Sequence, residues 1–171
     1  MASLGHVALG MAAGRLWAPK GASARTLWKP MLAFSALSML PDADVIGFRF
    51  GVEYGDEWGH RGASHALLFG LLLGLAAAGL ARLAGSPFAR TAAIASVTAM
   101  SHGVLDALTN GGLGAALLWP FSQERFFFPV HPIPVAPIGL GMLSQRGLLV
   151  LAVELILFSP FLLYATFPRR R

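Results

Sequence analysis

The chain has 171 residues, of which 56% are hydrophobic and 12% charged, and its mean hydropathy is +0.64. A soluble domain carries about 25% charged residues, so the composition excludes an ordinary soluble globule and predicts one integral membrane domain over residues 1–171. The absence of cysteine excludes thiolate metal sites and cysteine nucleophiles. The net charge of +5 is dispersed over short connections, which is typical of membrane topology signals and argues against nucleic-acid binding.

Five apolar segments predict an all-α bundle of four to five transmembrane helices, because a span needs about 20 apolar residues. The first, Leu4 to Trp17, is short, so it is either a tilted span or an interfacial helix. The later four run approximately over Pro30 to Phe48, Ala63 to Ala81, Pro87 to Leu108 and Gly147 to Phe167.

Local signals refine these segments. The run from Pro41 to Asp44 interrupts the second segment, and Ser64 is a reasonable N-cap for the third. Ser86 and Pro87 form a start signal for the fourth. The proline-rich stretch 110–146 predicts irregular structure.

Lys and Arg residues fall unequally on the two sides of this predicted bundle. If all five segments span, nine lie on one side: Arg15, Lys20, Arg25, Lys29, Arg82, Arg90, Arg169, Arg170 and Arg171. Four lie on the other: Arg49, Arg61, Arg125 and Arg146. Because cytoplasmic loops are enriched in basic residues, this asymmetry predicts a cytoplasmic C-terminus and an extracytoplasmic N-terminus. For such a multi-pass protein we expect the plasma membrane of a bacterium or archaeon.

The same topology brings seven histidine and aspartate residues to the extracytoplasmic face. They are His6, Asp42, Asp44, His60, His65, His102 and Asp106. His102 and Asp106 are four residues apart and share a helix face, about 6 Å apart along the axis. Imidazole and carboxylate without thiolate suit Zn²⁺, Mn²⁺ or Fe²⁺, and so many groups exceed what one tetrahedral ion uses. The pattern therefore predicts two divalent ions able to activate water for phosphoester hydrolysis.

Each residue also has a structural interpretation. Asp42 and Asp44 follow a proline and could cap a turn, and His102 with Asp106 could be a buried hydrogen-bonded pair. Ionisable groups at membrane depth are nonetheless functional by default. Because all seven groups lie on one face, we predict a metal site among them.

Catalytic roles are predicted for Asp44, Arg61 and Asp106. Arg61 could hold a phosphate, because a guanidinium matches the geometry of phosphate oxygens. Asp56 and Glu57 could supply a general base or form a solvated acidic loop. The sequence leaves the roles of His131 and Glu154 open.

Several motifs resemble those of the YdjM-like family of membrane-bound metal-dependent hydrolases. The matching pieces are Gly5-His6, Leu40-Pro41-Asp42-Ala43-Asp44, His60-Arg61-Gly62-Ala63-Ser64-His65, Ser101-His102-Gly103-Val104-Leu105-Asp106 with Thr109, and Trp119-Pro120-Phe121-Ser122. They occur in the expected order over most of the chain.

This family is thought to be remotely similar to zinc-dependent phospholipase C, a helical enzyme with three zinc ions. The resemblance implies a phospholipase C-like helical core and ligation by His6, Asp42, His65, His102 and Asp106, with His60 and Asp44 as further candidates. It also implies two or three zinc ions. The His-x-x-x-Glu pair of the last helix of those enzymes has no counterpart in this chain.

Together these features predict a membrane-embedded hydrolase that cleaves a phosphoester of a lipid or lipid-linked substrate with a metal-activated water. One alternative is a metal-binding membrane protein without catalysis, such as a divalent-cation carrier. Another is a structural partner of a second membrane protein, because small residues such as Gly70, Gly74 and Ala78 can pack helices closely.

Overall fold

A computed structural model of the protein describes residues 3–167. In that range, the α-helices are α1 (Ser3–Trp17), α2 (Ala24–Met39), α3 (Leu67–Leu83), α4 (Phe88–Ala107), α5 (Gln145–Leu157) and α6 (Ser159–Thr166). Short 3₁₀ segments cover Leu40–Phe50, Ala63–His65 and Gly139–Leu143. Strand-like pairing over the described part of the chain is limited to two isolated bridges, so the predicted all-α class is confirmed.

Helix α1 packs against α2, α4, α5 and α6, and α3 packs against α4. Glycines allow the closest approaches: a Cβ on Gly10 would lie 2.4 Å from Ser35 Cα, and one on Gly74 would lie 2.3 Å from Ser96 Cα. Alanine dominates the buried apolar side chains. Small side chains therefore bring the helix backbones together, as is common inside membranes.

One continuous helical run in residues 3–167, α2 with the following 3₁₀ segment over Ala24–Phe50, is long and apolar enough to cross a membrane by itself. The pair α5 and α6 passes the same test jointly but is bent by 64°. Helix α3 is apolar but shorter. The sequence-based count of four to five spans thus remains a prediction.

Three local predictions were wrong. Ser64 does not cap α3: Ala66 occupies the N-cap position, and Ser64 lies in the 3₁₀ turn before it. The predicted fifth segment is two helices, because the chain bends between Leu157 and Ser159 with Pro160 in the first turn of α6. The start signal Ser86-Pro87 predicted Ser86 as the N-cap of the fourth helix, but Pro87 is the N-cap and α4 begins at Phe88.

The order of the helices positions the site. The N-termini of α1 and α3 and the C-termini of α2 and α4 meet at the same end of the bundle, as side-chain contacts between His6, Asp42, His65 and Asp106 demonstrate. Irregular segments 51–62 and 108–138 cover this end.

Candidate metal centre

A buried group of four side chains lies where these helix ends meet. Asp42, His65, His102 and Asp106 each offer one ligand atom, and these atoms lie within 4.8 Å of one another. They come from the 3₁₀ segment after α2, the turn before α3, and one face of α4. The i, i+4 spacing of His102 and Asp106 does place both in the same group, as the helical pitch requires.

Hydrogen bonds fix the two imidazoles with their Nε2 lone pairs turned inward. His102 Nδ1 donates to the carbonyl of Ser38 at 2.6 Å. Ser64 Oγ donates to Asp44 at 2.6 Å and lies 2.9 Å from His65 Nδ1, which donates to it. The two Nε2 atoms face each other at 3.1 Å. In these tautomers both Nε2 atoms carry a lone pair, so two hydrogen-bond acceptors face each other. A cation bound between the two atoms would stabilise this arrangement.

The spacing of the donor atoms fits one tetrahedral ion. Asp42 Oδ1 lies 3.3 Å from His102 Nε2 and 3.5 Å from His65 Nε2, and Asp106 Oδ2 lies 3.4 Å from His65 Nε2. Metal–ligand distances of about 2.0–2.1 Å in a tetrahedron give ligand–ligand separations of about 3.3 Å. Neither oxygen of the buried Asp42 carboxylate has a hydrogen-bond partner among residues 3–167. These residues therefore fit a divalent metal.

Asp44 and His60 form a second group around His65. His60 Nδ1 lies 2.8 Å from Asp44 Oδ1, and His65 Nδ1 lies 3.2 Å from Asp44 Oδ2. A carboxylate on the outward nitrogen of a metal-ligating histidine fixes the ring and raises its basicity. This contact favours an orienting role for Asp44 over the catalytic role predicted from sequence, and it engages the Nδ1 of His60, a predicted ligand.

Arg61 lies behind the cluster and is fully buried. Its Nε lies 3.1 Å from Asp106 Oδ2, and its Nη1 donates to Thr109 Oγ1 at 3.0 Å and to the carbonyl of Gly111 at 2.8 Å. Its backbone adopts a left-handed conformation with φ of 68°, which is uncommon for a residue with a side chain. This geometry favours holding Asp106 in place over the phosphate contact predicted from sequence.

His6 extends the cluster on the side away from Asp44. Its Nε2 lies 3.4 Å from Asp106 Oδ1, and its ring stacks on His102 with centroids 3.8 Å apart. Within the described chain, neither ring nitrogen of His6 has a hydrogen-bond partner. Asp106 therefore has one carboxylate oxygen directed toward His6 and the other toward His65.

Sequence reasoning missed the side chains that hold the loop over the site. Arg125 donates to the carbonyls of His60 at 2.9 Å, Asp56 at 2.9 Å and Tyr54 at 3.2 Å. The Tyr54 ring meets His60 edge-on at 5.2 Å, and burial raises the pKa of Tyr54, so its phenol stays neutral beside the carboxylates. The sequence indication for this contact was Arg125 itself, a charged residue within an irregular, proline-rich stretch.

Other candidates lie outside the cluster. His131 is exposed and stacks edge-on against Phe127. Asp56 and Glu57 are exposed, and they accept hydrogen bonds from Glu53 N and Trp119 Nε1 respectively, which fits the acidic-loop interpretation. Glu154 is fully buried but contacts the first turn of α1.

Comparison with known proteins identifies the family of this chain. Residues 1–170 match the family described as YdjM inner membrane protein. The chain belongs to the YdjM family. It is 45% identical over 119 residues to inner membrane protein YbcI of Escherichia coli (strain K12), and the match covers 66% of each chain. No solved structure matches.

Membership confirms the family resemblance and the membrane location predicted from sequence. The protein is an inner membrane protein, and its buried His and Asp residues could hold a metal ion. The names of the family and of this relative do not describe an enzymatic activity. The likeness to phospholipase C, the metal's identity and the face on which the site opens remain predictions.

Proposed function

We propose that this YdjM-family protein is a metal-dependent hydrolase that cleaves a phosphoester of a lipid or lipid-linked substrate. Asp42, His65, His102 and Asp106 would hold one divalent ion, with zinc preferred for the tetrahedral spacing of its donors. His6 and Asp106 would hold a second. Such ions supply an activated water and polarise a phosphoryl oxygen.

Asp106 is the main support for a hydrolytic site. Its oxygens lie 3.4 Å from His6 Nε2 on one side and 3.4 Å from His65 Nε2 on the other. A carboxylate between two sets of imidazoles is the arrangement by which paired ions are held close together. Arg61 Nε, 3.1 Å from Oδ2, would keep that carboxylate in place.

The charge of the cluster supports an anionic substrate. Asp42, Asp44 and Asp106 supply three carboxylates, and Arg61 supplies one guanidinium. With neutral imidazoles, one divalent ion balances this charge. A second ion leaves positive charge unbalanced, and a phosphate group would complement it.

The surroundings favour a substrate drawn from the membrane. Large aromatic side chains are exposed in the segments that follow α2 and α4, with Phe50, at the end of the 3₁₀ segment, 81% exposed and Phe121, in the irregular segment 108–138, 87% exposed. Aromatic residues concentrate at the membrane–water interface. A headgroup at that level would lie at the depth of the cluster.

Burial supports a second candidate, a metal-binding membrane protein without catalysis. Four protein donors and no exposed area at His102 or Asp106 resemble closed structural sites, whereas catalytic zinc keeps an open position. Asp42 is 6% exposed, so a substrate would reach the cluster from the side of Asp42.

The deciding experiment measures phosphate or phosphorylated headgroup release from a panel of phospholipids and lipid-linked phosphates by purified, metal-loaded protein. Chelator should abolish the release and added metal restore it. Asp42→Asn should lower turnover at least about 10²-fold, because a ligand is lost, whereas His131→Ala, on an exposed loop, should not. Tight metal binding without turnover on any substrate would favour the second candidate.

A further inference from the structure

Glu154 is a buried carboxylate that neither candidate function uses. It lies on α5 with no exposed area. Its Oε2 accepts hydrogen bonds from the backbone N–H of Leu4 at 2.7 Å and of Gly5 at 3.2 Å. These amides belong to the first turn of α1, where no intrahelical acceptor exists for them.

The contact lies directly before His6 in the chain. A Cβ on Gly5 would lie 2.5 Å from the Phe158 ring, so the first turn of α1 is pressed against the corner between α5 and α6. One residue later, the His6 ring stacks on His102 at 3.8 Å. The hydrogen bonds to Glu154 therefore act on the backbone that carries His6.

The opposite end of α1 is tied to the same pair of helices. Arg15 is buried and donates to the carbonyl of Ala165 at 2.7 Å and to that of Phe167. An acid at the N-terminus of α1 and an arginine on the C-terminus of α6 both complement helix dipoles. Together these contacts fix the axial position of α1 against α5 and α6.

We infer that Glu154 is a positioning residue that sets the height of α1 and thereby places His6 beside Asp106. The inference rests on the proposed metal centre for its effect on affinity, but the contact itself is independent of metal. Helices α5 and α6 thus support the centre without supplying a ligand to it.

The test combines metal affinity with amide exchange. Glu154→Ala should speed hydrogen exchange in the peptide spanning residues 4–6 and weaken binding of Zn²⁺ about tenfold, the loss typical of a residue that orients a ligand. Glu154→Gln should retain both properties, because its amide oxygen can accept the same two hydrogen bonds. Ser144→Ala is the matched control, since it removes a side-chain cap from α5 itself and should change neither property.

A double-variant cycle separates positioning from general destabilisation. In a His6→Ala background, Glu154→Ala should cost no further Zn²⁺ affinity. An equal loss in both backgrounds, unchanged exchange at residues 4–6, or a Glu154→Gln variant as impaired as Glu154→Ala would overturn the inference. A wild-type protein that binds no Zn²⁺ would instead refute the proposed metal centre, and the exchange measurement would still test the contact.

Discussion

His65 illustrates how individual residues build the centre. Its Nε2 faces Asp42, His102 and Asp106, while its Nδ1 contacts Ser64 and Asp44. A ring held on both nitrogens has one orientation and one tautomer, so the inward lone pair is preorganised for a metal.

Removing the orienting carboxylate should weaken metal binding without removing a ligand. We expect Asp44→Asn to lower Zn²⁺ affinity about 10- to 100-fold. The asparagine amide has one oxygen, so it cannot accept from the Nδ1 atoms of His60 and His65 as the two carboxylate oxygens do. Calorimetric titration of the purified protein measures this loss. Asp56→Asn, an exposed acid of the neighbouring loop, is the control, and equal affinities for the two variants would contradict the orienting role.

Removing a ligand should have the larger effect. Purified protein should contain about two transition-metal ions per chain, as expected for the paired arrangement around Asp106. His65→Ala and His102→Ala should lose most of this metal, whereas His131→Ala should keep it. Elemental analysis after purification gives the stoichiometry: one ion would favour the four-residue group alone, and none after reconstitution with Zn²⁺ or Mn²⁺ would refute the site.

At the scale of helices, close packing of α3 on α4 holds the turn of His65 against the helix that carries His102. A Cβ on Gly103 would lie 2.1 Å from the carbonyl oxygen of His65. A Cβ on Gly70 or Gly74 would lie 2.7 Å or 2.3 Å from backbone atoms of α4. Glycine at these positions therefore determines how near the two histidines come.

Two glycines of α3 provide a matched test of this packing. Gly74→Ala should destabilise the fold by about 1–3 kcal/mol, because its Cβ would meet the Ser96 backbone and push the helices apart. Gly79→Ala should be neutral or stabilising by up to about 1 kcal/mol, since nothing lies within 4 Å of that position and alanine favours the helix. Thermal unfolding in detergent measures both changes, and an unaffected Gly74→Ala variant would contradict the packing argument.

At the scale of the whole molecule, the orientation of the bundle decides which compartment the centre faces. The Lys and Arg asymmetry predicts an extracytoplasmic site, although buried Arg15 caps α6 and residues 169–171 lie outside the described range. Ser23 and Gly55 are exposed, one in the connection after α1 and the other in the loop over the site.

Cysteine labelling tests this orientation directly, because the native chain has no cysteine. A cysteine at position 55 should react with an impermeant thiol reagent in intact cells, and one at position 23 should react only after permeabilisation. The reverse pattern would place the centre on the cytoplasmic side and would contradict the orientation predicted from the Lys and Arg asymmetry.

The sequence by itself determined the membrane class and the all-α class, and it predicted the His and Asp residues that the fold brings together. Composition determines whether a chain is stable in water or in a lipid bilayer. The i, i+4 spacing of His102 and Asp106 places them on one face of their helix. The ordered motifs around these residues were sufficient to predict the family.

Only the tertiary structure decided how these residues contact one another. Whether the Asp44 carboxylate reaches the Nδ1 of His65, and whether Arg61 faces outward or toward Asp106, depends on distances between elements that are far apart in the chain. The contact of Glu154 with Leu4 joins residues 150 positions apart. Local patterns carry no information on such distances, because they arise from how closely the small residues let the helices approach.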